Sequence, residues 1–208
     1  MKKFIKWFII LFIILVAVFS FWYTKINFVF RTISPNHVYK SGLIDPDKLD
    51  KFLIPYKIKT VVDLLDPGVQ DALNPATQKE IDAEANAIKQ INKKYHTNIK
   101  HINIPSPQVP NKRTLTAFYK VIDDNASYPI LIHCYHGMGR AVIYSAIYRI
   151  EKEGWDNKTA QKHTRLFEFM VDSPLHHSSF AKGRSKGDFL LNYKPRSAGI
   201  DATINHLE

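Results

Sequence analysis

From Trp7 to Tyr23 seventeen consecutive residues carry no charge: WFIILFIILVAVFSFWY. As a helix this run is roughly 26 Å long, close to the hydrocarbon thickness of a bilayer. Lys6 can snorkel at one end, extending the span towards Phe4. Trp7, Trp22 and Tyr23 stand near the two ends, where amphipathic rings favour the membrane interface. Residues 1–25 are therefore expected to be a signal anchor, a single transmembrane helix, with residues 26–208 as a separate folded domain. The alternative is a cleaved signal peptide, whose apolar region is usually shorter and ends in small residues. Val18-Phe19-Ser20, followed by Phe21 and Trp22, is a poor cleavage site. Lys2, Lys3 and Lys6 outweigh Lys25, which places the amino terminus in the cytoplasm and the rest of the chain outside it, in the periplasm if the source is bacterial.

The charge distribution supports a membrane rather than a nucleic-acid partner. Residues 1–40 hold six basic residues and no acid. Residues 41–208 hold 23 basic against 19 acidic, so more than half of the formal +10 flanks the apolar run. No nucleic acid is expected as a partner. One cysteine excludes an internal disulfide framework and a Cys-rich zinc site. With 45% hydrophobic residues in 208, the chain has enough apolar side chains for a packed core.

Beyond a linker over 24–40 that leads into a short extended piece around Val38-Tyr39-Lys40, short β-branched runs alternate with amphipathic segments. Asp45-Pro46-Asp47 reads as a helix start, with Leu49, Phe52 and Leu53 on its apolar face. Ile58–Leu65, Ile99–Ile104 and Pro129–Ile132 read as strands. Thr77–Lys94, Thr114–Asp123 and Arg140–Glu153 read as helices, the first opened by a Thr77/Glu80 capping box. Asp156 caps a further helix expected to reach Met170. This order predicts an α/β fold with a central, mostly parallel sheet flanked by helices. The tail from Ser173, with His176-His177 and Lys182–Gly187, reads as a solvated loop.

The lone cysteine ends the most apolar strand: Ile132-His133-Cys134-Tyr135-His136-Gly137-Met138-Gly139-Arg140. A strand feeding a tight loop into a helix N-terminus turns successive backbone N–H groups towards one point, which makes an anion site. Gly137 and Gly139 let the backbone approach a ligand closely. Arg140 adds a bidentate fork suited to phosphate. A thiol in that positive field ionises readily, and its thiolate would face a bound phosphoryl group.

His133-Cys134-x5-Arg140 resembles the phosphate loop of the protein tyrosine phosphatase superfamily. Tyr148-Arg149-x-Glu151-x-Glu153-Gly154-Trp155 and Val38-Tyr39-Lys40-Ser41-Gly42 resemble segments of small bacterial, membrane-anchored dual-specificity-like phosphatases. The likeness covers roughly residues 36–170. It implies a compact dual-specificity-phosphatase-like fold with no metal and no cofactor. It also implies that Cys134 is the nucleophile, that Arg140 clamps the phosphoryl oxygens and that His133 holds the loop. The backbone of Tyr135, His136, Gly137, Met138, Gly139 and Arg140 would cradle the phosphate.

Two departures stand out. The superfamily usually has Ser or Thr after the arginine, to help the sulfur leave in the second step; here it is Ala141, which leaves that role to Ser145 or water. Its general acid is typically an Asp about 30 residues before the cysteine, but Pro105-Ser106-Pro107-Gln108-Val109-Pro110 contains no acid. Either the chain has no dedicated acid, the reading the acid-free loop favours first, or another group substitutes: Asp66 at the end of a central strand before His136 or Asp71. The expected function is hydrolysis of phosphotyrosine, phosphoserine or phosphothreonine through a phosphocysteine. A phosphoinositide or inositol-phosphate phosphatase and a phosphate-binding pseudophosphatase are the alternatives. The partners expected are thus a phosphorylated protein or a phospholipid, and the membrane.

Overall fold

A computed structural model of the chain describes residues 2–68, 73–165, 167–175 and 177–196. Asp71 and His176 lie outside the described residues. Five strands form one sheet in the order β1-β2-β5-β3-β4: β1 (Arg31–Ser34), β2 (Val38–Ser41), β3 (Thr60–Asp63), β4 (Lys100–Asn103) and β5 (Ile130–His133). Only β1 runs antiparallel to its neighbour; β2, β5, β3 and β4 are mutually parallel. The register aligns Ser41 with His133, His133 with Asp63 and Asp63 with Asn103. The carboxyl ends of all four parallel strands therefore form one row, the edge on which α/β proteins build their sites.

Helices cover both faces. α4 (Lys112–Asp123), α5 (Arg140–Glu153) and α7 (Ser185–Leu191) pack Leu115, Phe118, Ile143, Ile147 and Leu190 with Val62, Ile130 and Ile132. On the other face Leu53, Ile88 and Ile91, from α2 (Asp50–Leu53) and α3 (Gln78–Tyr95), join Tyr39, Val61 and Leu131. Neighbouring residues of β3 and of β5 alternate between the two clusters, as the two-residue period of a strand requires. The Thr77/Glu80 capping box starts α3, and Gly154 in the left-handed conformation (φ +70°) ends α5.

Several expectations are corrected. The stretch before the extended piece is not a linker, since Phe28, Val29 and Phe30 are buried and β1 follows directly; the extended piece at Val38-Tyr39-Lys40 is β2. Residues 46–49 form turns, so the helix after Asp45 is reduced to α2. The helix capped by Asp156 is α6 (Asn157–Lys162) and stops well short of Met170. The Thr164 hydroxyl donates to the Gln161 carbonyl at 2.7 Å, and the His163 ring lies 3.0 Å from the Thr159 carbonyl. The Thr164 N–H also turns to the Gln161 carbonyl, an i→i−3 bond that tightens the last turn and ends the α-helix. The tail is not a solvated loop, because Ser178, Phe180, Leu190 and Tyr193 are buried and α7 docks on α5 and α6.

The amino-terminal α1 (Lys2–Phe21) continues into a π-helical turn, Trp22–Ile26. It is the one helix among the described residues long and apolar enough to cross a membrane.

Candidate active site

β5 delivers Cys134 to the carboxyl edge, and the loop 134–139 runs into α5 at Arg140. Cys134 is buried. The Ala141 N–H, in the first turn of α5, points at the sulfur with N···S 3.5 Å. The positive end of the helix is thereby aimed at Sγ. Gly137 holds φ +67°, and a Cβ there would lie 2.4 Å from the Gly42 nitrogen and 2.6 Å from the Ser41 carbonyl carbon. Only glycine lets the loop press this closely against the end of β2. From below, Lys40 Nζ donates to the Gly137 carbonyl at 2.8 Å. Burial, with Arg31 adding repulsion, lowers the Lys40 ammonium to about 8.

Arg140 is 2% exposed despite its charge. Its guanidinium donates to the Leu64 carbonyl at 2.6 Å, to the Ser106 carbonyl at 3.2 Å and to the Asn74 side-chain carbonyl. These acceptors come from the segments that follow β3 and β4, so two neighbouring strands hold the arginine beside the loop. Ser106 is itself fixed by Tyr144, with the two hydroxyl oxygens 2.9 Å apart.

His133 stands on a buried charge network. Its Nε2 and that of His101 both lie 2.9 Å from Glu84 Oε2. Asp63 lies 3.7 Å from each imidazole and accepts from the Asn103 side chain at 2.9 Å and the Leu65 N–H at 2.8 Å. Burial disfavours the His133 cation, but Glu84 and Asp63 outweigh it and raise the imidazole to about 9. Burial likewise opposes the Glu84 charge, and His133 and His101 hold the carboxyl down at about 2. Burial raises Asp63 despite His133. Asp63, Glu84 and His101 bring their ligand atoms within 4.8 Å of one another, and are the group among the described residues that could hold a metal ion. In the structure these atoms bind one another and Asn103.

The opposite rim is looser. Asp66 lies two residues beyond Leu64, and Asn74 bridges the two elements: its amide donates to the Asp66 carbonyl at 2.6 Å while its carbonyl receives Arg140. The Asp66 carboxylate accepts the Gly68 N–H at 3.0 Å. In the 105–110 loop, Gln108 accepts from Lys186 of α7 at 2.8 Å. A Cβ on Gly139 would lie 3.0 Å from that Lys186 ammonium nitrogen. His136 is exposed, its ring edge-on to Tyr135 at 4.8 Å, and Met138 is 45% exposed. The Tyr135 carbonyl accepts the Leu43 N–H at 3.1 Å. Ser145 donates to the Ala141 carbonyl at 2.6 Å, so its hydroxyl is committed to the helix backbone.

The sequence reading missed Glu84, Lys40 as a loop donor, Asn74 and Lys186. Glu84 carried one local signal, its place on the helix face of Ile81, Ile88 and Ile91.

A buried cysteine under a helix N-terminus, an arginine tethered beside it and a parallel sheet behind them define a phosphatase-type α/β domain. The family model described as a DSP-PTPase phosphatase fused to NAD+ kinase matches residues 37–182, and the chain belongs to this family. The fold is similar to the core catalytic domain of the PP-IP phosphatase SIW14 from S. cerevisiae, with a TM-score of 0.55 and 20% identity over 85% of this chain and 88% of that one. It is also similar to P. aeruginosa TpbA in complex with pTyr, with a TM-score of 0.54 and 18% identity over 87% and 91% of the two chains. No curated protein matches the sequence.

Proposed function

We propose that the chain is a cysteine-dependent phosphatase that hydrolyses phosphate monoesters through a phosphocysteine at Cys134. The observation that carries this reading is the Ala141 N–H aimed at the Cys134 sulfur beside an Arg140 held by three acceptors. The Cys134 thiolate attacks phosphorus, an S–P bond forms as the ester P–O bond breaks, and the leaving oxygen takes a proton. Water then cleaves the S–P bond, releasing inorganic phosphate and the thiolate. Arg140 and the backbone N–H groups of Tyr135, His136, Gly137, Met138, Gly139 and Arg140 hold the phosphoryl oxygens as their charge develops. His133 positions the loop through Glu84. Asp66 is assigned the leaving-group proton, which requires its carboxyl to leave the Gly68 N–H.

Phosphotyrosine, phosphoserine, phosphothreonine and phosphoinositide groups all present the required ester. Of the proteins similar in fold, one is described as a PP-IP phosphatase and one is bound to pTyr. Residues 1–25 act as an uncleaved anchor, and residues 26–208 as a catalytic domain on the extracytoplasmic side. The helix Phe4–Ile26 supports the anchor, and the lysines before it support the orientation.

The test is turnover of p-nitrophenyl phosphate by the full chain in detergent, with Cys134→Ser beside it. The wild type is expected to turn over and to show a phosphoryl group on the Cys134 peptide after acid quench. Equal rates for the two proteins would refute the reading. Phosphate binding without turnover would leave the pseudophosphatase, the reading that Ala141 and the acid-free 105–110 loop favour.

A further inference from the structure

The membrane-length helix and the phosphate loop meet at one edge of the domain. The span Phe4–Ile26 has 23 residues, and its apolar stretch is not buried by the rest of the protein. It projects away from the domain, yet the chain enters the core immediately after it. The N–H groups of Asn27 and Val29 donate back to the Trp22 and Tyr23 carbonyls, each at 2.9 Å. Phe28 and Val29 are buried and both left-handed, at φ +54° and +56°. A β-branched residue holds that conformation only where its surroundings impose it. The joint between helix and domain is therefore short and fixed.

Its position matters more than its stiffness. The Phe28 carbonyl accepts the Gly42 N–H at 2.7 Å, and Gly42 directly follows β2 at the carboxyl edge. The next residue, Leu43, donates to the carbonyl of Tyr135 in the phosphate loop. Two hydrogen bonds thus lead from the end of the helix to the loop. Between them lies a cleft of about 920 Å³, with Thr24 and Lys25 on the helix side, Tyr135, His136 and Met138 on the loop side, and Lys48, paired with Asp45, alongside. Apolar surface, Lys25 and an anion-binding loop meet at the level where a spanning helix leaves the hydrocarbon. That combination fits a molecule with an anionic head and an apolar body already lying in the bilayer.

We propose that the substrate is a phosphate monoester carried on a lipid of the membrane that α1 spans, reaching Cys134 through this cleft. The proposal rests on the phosphatase reading above. The S–P bond forms as the P–O bond to the lipid breaks; the lipid oxygen takes a proton and stays in the bilayer as an alcohol, and water releases inorganic phosphate. Holding enzyme and ester in one leaflet raises their effective concentration without any new contact. A phosphoprotein would instead have to enter between the domain and the bilayer, where the joint leaves no slack.

The experiment reconstitutes the full chain in phosphatidylcholine vesicles containing a minor fraction of phosphatidic acid. Glycerol 3-phosphate, a phosphotyrosine peptide and p-nitrophenyl phosphate serve as water-soluble arms. Phosphatidic acid is expected to turn over at least about tenfold faster than either glycerol 3-phosphate or the peptide, and only when it shares the enzyme's vesicle. A flexible Gly-Ser insertion of about ten residues between Ile26 and Asn27, reaching roughly 17 Å, is expected to cut lipid turnover about tenfold while p-nitrophenyl phosphate is hydrolysed as before. Faster turnover of the peptide, equal turnover of lipid in separate vesicles, an insertion without effect, or a mature chain lacking residues before Phe28 would each overturn the proposal. Should the insertion disturb folding, the shared-against-separate vesicle comparison decides alone. Loss of p-nitrophenyl phosphate turnover by the unaltered chain would instead defeat the phosphatase reading itself.

Discussion

On the side of the loop that would hold phosphate, Arg140 is tied to three acceptors, Lys40 to the Gly137 carbonyl and His133 to Glu84. On the side a leaving group would face, the 105–110 loop presents Gln108, and the Asp66 carboxylate is turned into its own backbone at Gly68. The first side is buried and anchored by neighbouring strands; the second is half-exposed and lies in loops. An anion site can be built in advance, because its donors keep one geometry through the reaction. A proton donor works only when a substrate is present, and its hydrogen bonds often tighten only then. The two sides should therefore respond to mutation in different measurements, stability on one and rate on the other.

Glu84→Gln tests the built side and has the largest expected effect. It leaves His133 charged and buried with Asp63 as its remaining carboxylate, at 3.7 Å. Breaking a buried pair costs about 3–5 kcal/mol. In a domain of this size that lowers the melting temperature by roughly 10 °C. The pH dependence carries the mechanism. His133 is raised from 6.5 to about 9 in the fold, so the pair's contribution is complete below 6.5 and is lost as pH rises through about 9. Glu84 is lowered from 4.5 to about 2, so a second loss occurs as pH falls between those values. Thermal unfolding followed by circular dichroism should show both slopes in the wild type; in Glu84→Gln the alkaline slope should shrink, while part of the acid slope persists through Asp123, which Arg196 holds at about 2. Matching profiles would mean that the pair does not hold the loop.

How much of this could be read beforehand follows the same division. The strand–loop–helix around Cys134 was legible because all its parts are local: an apolar strand, two glycines and an arginine that begins α5. The α3 capping box was legible for the same reason. Glu84 was not, because its partners His101 and His133 lie 17 and 49 residues away on two strands. No local pattern marks an acid as paired across that distance. Lys186 was hidden by the polarity of its neighbours, whereas Phe180 and Leu190, both fully buried, decide where the tail docks. Phe28 to Phe30 read as linker only because one apolar helix had already claimed the segment before them.

Asp66→Asn probes the looser side and should act on rate alone. Loss of a general acid costs about 10²-fold or more when the leaving group is poor. Phenyl phosphate should therefore slow by about 10²-fold while p-nitrophenyl phosphate, whose leaving oxygen needs little help, slows far less. A uniform loss on both substrates would assign the Asp66 carboxylate to holding its loop through the Gly68 N–H, rather than to the proton.

The smallest effect is expected at Ala141. This residue is fully buried and gives its N–H to the Cys134 sulfur. In the second step that sulfur must leave phosphorus as a thiolate, and one backbone donor supports the developing charge. Ser145 does not supply a second, since its hydroxyl donates to the Ala141 carbonyl. Ala141→Ser adds a hydroxyl one bond from the helix start, at a cost in packing that a single oxygen keeps small. A hydrogen bond to a charged partner contributes on the order of 1.5 kcal/mol, or about tenfold in the rate of phosphocysteine breakdown. Rapid-quench kinetics with p-nitrophenyl phosphate should show a burst in the wild type. In Ala141→Ser the burst should shrink and the steady-state rate should rise. An unchanged steady state with the burst intact would place the slow step outside the sulfur's departure, and the difference between the two sides of the loop would then rest on Asp66 alone.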